Sequence, residues 1–378
     1  MNWISRYYEE NFHQMMEKGK VLVIYGSRQV GKTSLIKHML KNDKEIFMGD
    51  GNDLTLQEIL NSMRLTAIQN SLQGFRVVII DEAQKVSKIG DATKLFIDHN
   101  PETMVILSGS SSFDLSGKLG EPLTGRQKVY TLYPVSVMEL VKNRGRMSVI
   151  SDLENFLVYG SYPETLTMSN NTDRVEYLIN LRNSYLLKDI LERENLRNPS
   201  KLFDLLRLLA YQIGNEVSLN ELSNQLAIAK QTVERYIYLL EKVFIIIKVQ
   251  AFSRNLRKEI SKTHRYYFWD NGIRNALINN FNPFPTRNDQ GMLWENFLFI
   301  ERIKTREYLR IPANNFFWRT YDQKEIDMVE ERAGKLFGYE FKLTNKNLKA
   351  PKLWTETYKE SEFKVIHREN FMEFLLQE

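Results

Sequence analysis

Eight consecutive residues, Gly26, Ser27, Arg28, Gln29, Val30, Gly31, Lys32 and Thr33, fit the pattern GxxxxGK[ST]. An apolar run (21–25) precedes them and a helical stretch opening at Ser34 follows. This strand, glycine-rich loop and helix order turns a short pattern into a mechanism. Backbone N–H groups of the loop, through Ser34, cradle phosphates at a helix N-terminus, where the helix dipole also favours anions. Lys32 can reach the β- and γ-phosphates and Thr33 can hold Mg²⁺. The expected ligand is therefore a nucleoside triphosphate.

A second apolar run, 77–80, ends in Asp81 and Glu82. An unbroken β-branched run is suited to a strand buried on both faces, as in a parallel sheet with helices on each side. Asp81 stands at its carboxyl end, where such sheets place ligand chemistry, and is expected to hold Mg²⁺ with Thr33. Glu82 is suited to polarise the attacking water. Alone, the pair could simply cap a helix; beside the phosphate loop it completes a hydrolytic site. A strand candidate at 104–107 leads into a serine-rich loop. There Ser110, with Ser108 in reserve, could sense the γ-phosphate. Arg126 precedes a fifth strand candidate (128–131) and could neutralise transition-state charge, from the same chain or a neighbouring one. Asp50, after a strand candidate at 45–48, reads as a turn acid.

An extra strand between the two motifs and a glutamate beside Asp81 mark the hydrolytic branch that includes AAA-type ATPases. Residues 25–35 resemble one group of these, prokaryotic proteins with a GxRQxGKT loop and a C-terminal domain of long-unknown function. Further stretches match in order: 78–84, 107–111, 123–126, 133–136, 159–164, 268–273, 325–327 and 340–342. The resemblance spans nearly the whole chain. It implies ATP as the nucleotide and hydrolysis as the activity, and it strengthens the role given to Arg126. Ser27 and Ser161 depart from the group, which often has proline and glycine there; neither position carries phosphate chemistry.

At 378 residues the chain is too long for one ordinary core. Its hydrophobic content of 43% is normal for a globular protein. A net charge of +5 permits nucleic-acid contact without requiring it. With no cysteine there are no disulfides and no thiolate-bound zinc, which fits a reducing cytoplasm. No uninterrupted apolar stretch suits a bilayer, and residues 1–20 lack a signal-peptide core. A soluble, cytoplasmic protein without membrane partners is expected.

The expected architecture is α/β, with a P-loop NTPase parallel sheet of AAA type over 1–146. A helical lid (147–198), a segment resembling a winged helix-turn-helix (199–285) and a C-terminal domain (286–378) follow. In the third segment Ser218 and Glu221 form a capping-box pattern, and 230–243 carries one apolar stripe. In a DNA-binding version Lys230, Gln231 and Arg235 would face the duplex, and Arg254, Arg257 and Lys258 would contact phosphates. The same fold also serves protein contacts. The C-terminal order αβββαβ resembles the restriction-endonuclease-like fold. Asp327 lies on one strand, and Glu340 and Lys342 share a face of the next. Two carboxylates and a lysine suit metal-assisted phosphodiester cleavage, with Glu295 supporting from the neighbouring helix.

The leading expectation is a Mg²⁺-dependent ATPase whose nucleotide cycle repositions its C-terminal half, on DNA in one version. The alternatives are an ATP-gated DNA nuclease and a non-catalytic nucleotide-dependent interaction module. A trans-acting Arg126 would require a homo-oligomer.

Overall fold

The computed structural model describes residues 3–110, 119, 122–194, 199–254 and 263–376. Two compact units emerge, one formed by Ser5–Pro134 with Lys242–Phe244, the other by Val135–Glu241 with Ile245–Glu378 and the first four residues.

In the first unit five strands form one sheet: β1 (Val21–Tyr25), β2 (Ile46–Asp50), β3 (Val77–Asp81), β4 (Met104–Gly109) and β5 (Gln127–Thr131). Their order is β2-β3-β4-β1-β5 and every pairing is parallel. All five residues of β1 are buried, as are the first four of β3. Each fully buried Val, Leu or Ile contributes about 1.5–3 kcal/mol relative to exposure. Continuous β-branched runs are what a strand covered on both faces requires. Because β4 lies between β1 and β3, the carboxyl ends of these three strands are neighbours. This is the P-loop NTPase sheet, with the expected extra strand at β2.

The second unit carries a seven-stranded sheet, ordered β12-β11-β10-β9-β7-β8-β6. Helices α2 (Pro199–Tyr211), α3 (Leu219–Leu226) and α4 (Lys230–Lys242) alternate with β6 (Glu216–Val217), then β7 (Ile246–Ala251) and β8 (His264–Phe268) follow. The Ser218 side chain caps α3 by accepting from the Glu221 N–H at 3.3 Å. The apolar stripe of α4 is buried at Val233, Ile237 and Leu240. Beyond these come α5 (Asn271–Leu277), α6 (Gln290–Leu309), β9 (Asn314–Arg319), β10 (Glu325–Arg332), β11 (Lys335–Phe341), α7 (Lys352–Thr357), β12 (Glu362–Ile366) and α8 (Phe371–Leu376). The αβββαβ order over 286–366 is present, and α5 and α8 were not foreseen.

A parallel contact joins β7 to β9 at Gln250–Phe316 and Ala251–Phe317. It merges the strands of the third and fourth expected segments into one sheet. The expected boundaries at 146, 198 and 285 all lie within the second compact unit. No helix among the described residues is long and apolar enough to cross a membrane.

Candidate functional site

The phosphate loop runs from the end of β1 into α1 (Lys32–Met39). Gly26 has φ +151°, and a Cβ there would lie 2.1 Å from the Leu132 carbonyl oxygen, so only glycine fits. The Lys32 ammonium donates to the carbonyls of Gly26 at 2.8 Å and Ser27 at 2.9 Å, spanning the loop from within. Within the loop Ser27 and Val30 are buried, Arg28 and Gly31 half-buried and Gln29 exposed; Ser34 is exposed on α1.

Asp81 is the centre of the acidic half. Its Oδ2 accepts from the Thr33 hydroxyl at 2.5 Å, and its Oδ1 from the Ser108 hydroxyl at 2.5 Å and the Glu82 N–H at 3.0 Å. Charge-assisted O–H···O⁻ bonds of this length are among the stronger ones in proteins. Thr33 and Asp81 present one hydroxyl and one carboxylate side by side. That small, hard-oxygen donor set fits Mg²⁺, which takes few protein ligands beside phosphates and water.

Glu82 sits at φ +47°, ψ +37°, left-handed backbone uncommon for a non-glycine residue. Its carboxylate accepts from Gln84 Nε2 at 2.5 Å and from Ser110 Oγ at 3.5 Å, and Gln84 Nε2 also donates to Ser110 Oγ at 3.2 Å. The two serines therefore have different stations, Ser108 against Asp81 and Ser110 against Glu82. Gly51 makes room for this turn. Its N–H donates to the Asp81 carbonyl at 2.7 Å, and a Cβ would lie 2.3 Å from the Glu82 carbonyl oxygen.

Arg126 lies elsewhere. Its carbonyl accepts from the Val21 N–H, at the start of β1, whereas the phosphate loop leaves the end of that strand. At about 3.3 Å per residue the two edges of the sheet are roughly 16 Å apart. The side chain pairs with Asp98. A residue preceding a parallel strand stands at its amino edge, away from the phosphate loop of the same chain. Asp50 is a turn acid, accepting from Asn52 N and Nδ2, each at 2.8 Å.

Arg6, Gln84 and Gly51 were not foreseen. Arg6 donates to the carbonyls of Val30 and Tyr133, both at 2.6 Å, tying the phosphate loop to the chain after β5. Nothing in the composition of residues 1–20 distinguishes this buried arginine, whereas Gln84 lies in a stretch that matched the family without being given a role.

In the second unit, Glu295, Asp327, Glu340 and Lys342 do come together. Lys342 Nζ lies 2.6 Å from Glu340 Oε1 and 3.9 Å from Asp327 Oδ2, and the Phe341 N–H donates to Asp327 Oδ2 at 2.8 Å. Three unforeseen residues join them. Arg265 Nη2 lies 2.7 Å from Glu325 Oε2, and its Nη1 is 3.5 Å from Glu295 Oε1 and 3.7 Å from Asp327 Oδ1. Tyr267 donates its hydroxyl to Glu295 at 2.7 Å. Burial, with the charge of Asp327, pushes Glu295 up to about 8 and Glu340 up to about 7. Burial also raises Asp327, against the pull of Lys342 and Arg265. Lys342 is raised as well, because Asp327 and Glu340 outweigh its burial. Among the described residues, no three Asp, Glu, His or Cys side chains converge as a metal-ligand set.

Lys230, Gln231 and Arg235 are exposed on α4. Arg254 is exposed beyond β7 and pairs with Glu331 at 3.0 Å. Arg257 and Lys258 lie outside the described residues.

Residues 18–141 match the sequence family described as an AAA domain. Residues 150–283 and 290–372 match two families described as domains of unknown function, DUF8612 and DUF4143. An uncharacterized protein of Mycobacterium tuberculosis is 24% identical over 334 residues, covering 87% of this chain and 72% of its own length. One from Haemophilus influenzae is 26% identical over 270 residues, covering 68% and 63%. One from Methanocaldococcus jannaschii is 22% identical over 350 residues, covering 86% and 76%. Among solved structures, a signal transduction ATPase with numerous domains and a tetratricopeptide repeat sensor, from Pyrococcus horikoshii, aligns at TM-score 0.31 and 13% identity. It covers 81% of this chain, which spans about half (47%) of that one.

Proposed function

From a chain that carries an AAA domain ahead of a C-terminal domain of unknown function, we propose a Mg²⁺-dependent ATPase whose turnover governs what its second unit binds. The observation that carries this reading is the linkage Thr33–Asp81–Ser108, which joins the first turn of α1 to the carboxyl ends of β3 and β4. Lys32 exchanges its two loop carbonyls for the β- and γ-phosphate oxygens of ATP. Glu82, steadied by Gln84 and Ser110, accepts a hydrogen bond from the attacking water and aligns it with the γ-phosphorus. Thr33 and Asp81 would hold Mg²⁺, which when bound would neutralise charge on the phosphates. The products are ADP and inorganic phosphate.

For the second unit we propose a winged helix-turn-helix over 199–285 that contacts DNA. The order α2, β6, α3, α4, β7, β8 and the exposed Lys230, Gln231 and Arg235 support this. The lid over 147–198 and the nuclease-like fold over 286–378 belong to the same proposal, as does a cytoplasmic setting. Phosphate release by the wild type and by Lys32→Ala tests the ATPase; rates should differ by orders of magnitude, and equal rates would end the reading. Fluorescence anisotropy with labelled duplex, comparing wild type with Lys230→Ala/Arg235→Ala, tests the DNA contact in the same way.

A further inference from the structure

The carboxylates of the second unit draw their counter-charge from the protein itself. Arg265 projects from β8, in the stretch matched over 150–283, whereas Glu295, Glu325 and Asp327 all belong to the stretch matched over 290–372. Its guanidinium is 2.7 Å from Glu325, 3.5 Å from Glu295 and 3.7 Å from Asp327, and its side chain is only 4% exposed. It also lies over the Phe317 ring, 4.6 Å from the centroid, so packing fixes it from one face while the acids hold it from another. A guanidinium cannot lose its proton in a protein, so this positive charge is permanent. Lys342 adds a second one, 2.6 Å from Glu340. A divalent ion beside Asp327 would meet both cations at close range, and the buried Arg265 with little water to screen it.

We propose that this acid set is an arginine socket. Arg265 is its resident cation, the site takes up no divalent metal, and the C-terminal domain does not cleave phosphodiester bonds. The socket is a brace: it fixes β8 against α6 and β10, where, among the described residues, the sheet joins the two segments through the pairs Gln250–Phe316 and Ala251–Phe317 and a bond from the Phe252 N–H to the Phe317 carbonyl. Removing one partner of such a buried pair leaves an uncompensated charge, so the brace also makes the two segments fold together.

The test is Mn²⁺ titration of the full chain, read by electron paramagnetic resonance without nucleotide, on an Asp81→Asn background that silences the phosphate-loop site. Asp327→Asn should leave the number of bound Mn²⁺ ions unchanged. Arg265→Met should gain one ion per chain, and adding Asp327→Asn to it should remove that ion. Plasmid incubated with the otherwise wild-type chain, Mn²⁺ and ATP should remain intact. A Mn²⁺ ion lost on Asp327→Asn alone, or plasmid nicking that depends on Asp327, would overturn the proposal. So would a folded Arg265→Met chain that gains no ion. If circular dichroism shows that Arg265→Met does not fold, the titrations with and without the Asp327→Asn substitution and the plasmid assay decide by themselves.

Discussion

The hydroxyl of Thr33 and the carboxylate of Asp81 meet at 2.5 Å although 48 residues separate them in the chain. The opposite oxygen of Asp81 is held by Ser108 at the same distance. Asp81 is therefore oriented from both sides, and under the proposed hydrolysis Ser108 would act through it. Ser108→Ala should lower kcat for ATP hydrolysis about ten-fold, the loss of one hydrogen bond to a charged group. Raising Mg²⁺ should recover part of that loss. A kcat unchanged across Mg²⁺ concentrations would show that Ser108 positions nothing.

Glu82 combines a left-handed backbone with a carboxylate held by Gln84 and Ser110. Backbone of this kind persists where the surroundings over-determine it, often at functional sites. Glu82→Gln should keep ATP affinity and lose turnover by about 10²- to 10⁴-fold, the usual contribution of a positioned acid or base. Equilibrium dialysis with ATP and a phosphate-release assay separate the two effects. Equal loss of binding and turnover would assign Glu82 to the fold instead.

Arg126 stands at the amino edge of the sheet, paired with Asp98 and roughly half exposed. Exposed pairs of this kind contribute little, so Arg126→Ala should change hydrolysis by a monomeric preparation less than about two-fold. Light scattering with and without ATP establishes the mass during the assay. A hundred-fold fall accompanied by ATP-dependent assembly would instead place Arg126 in a neighbouring subunit's site.

The phosphate loop and β3 were legible because their signals are local. One is a fixed spacing of glycines and a lysine, the other an unbroken β-branched run that only a doubly covered strand tolerates. Pairing of Glu340 with Lys342 was legible for the same reason, since a two-residue spacing fixes a shared face. Arg265 was not. Its meeting with Asp327 depends on the short parallel contact between β7 and β9, and parallel pairing leaves no turn residue to read. The edge on which Arg126 stands was hidden for a different reason. Its position before β5 was correct, but all five strands run the same way, so that position falls at the edge away from the phosphates.

The start of α6 rests on another buried charge group, independent of the nucleotide site. Asp289 accepts from Arg287 Nε and Nη2, both at 2.8 Å, and from Arg274. Its side chain is 11% exposed, and those of Arg274 and Arg287 are at most 1%. Burial alone would raise the Asp289 carboxyl, but Arg287 and Arg274 outweigh it and hold it below the usual carboxylate range. A folded value below the unfolded one means that the unfolded chain binds the proton more readily. The contribution is thus complete above the ordinary carboxylate range and fades as pH falls through the folded value. Asp289→Asn leaves two buried guanidinium groups without their counter-charge and should cost about 3–5 kcal/mol at neutral pH. Thermal melts of both chains at pH 7 and pH 3 check this. The gap in Tm should be wide at pH 7 and narrower at pH 3, whereas an equal gap at both would show that the ionised carboxylate contributes nothing to the stability of this corner.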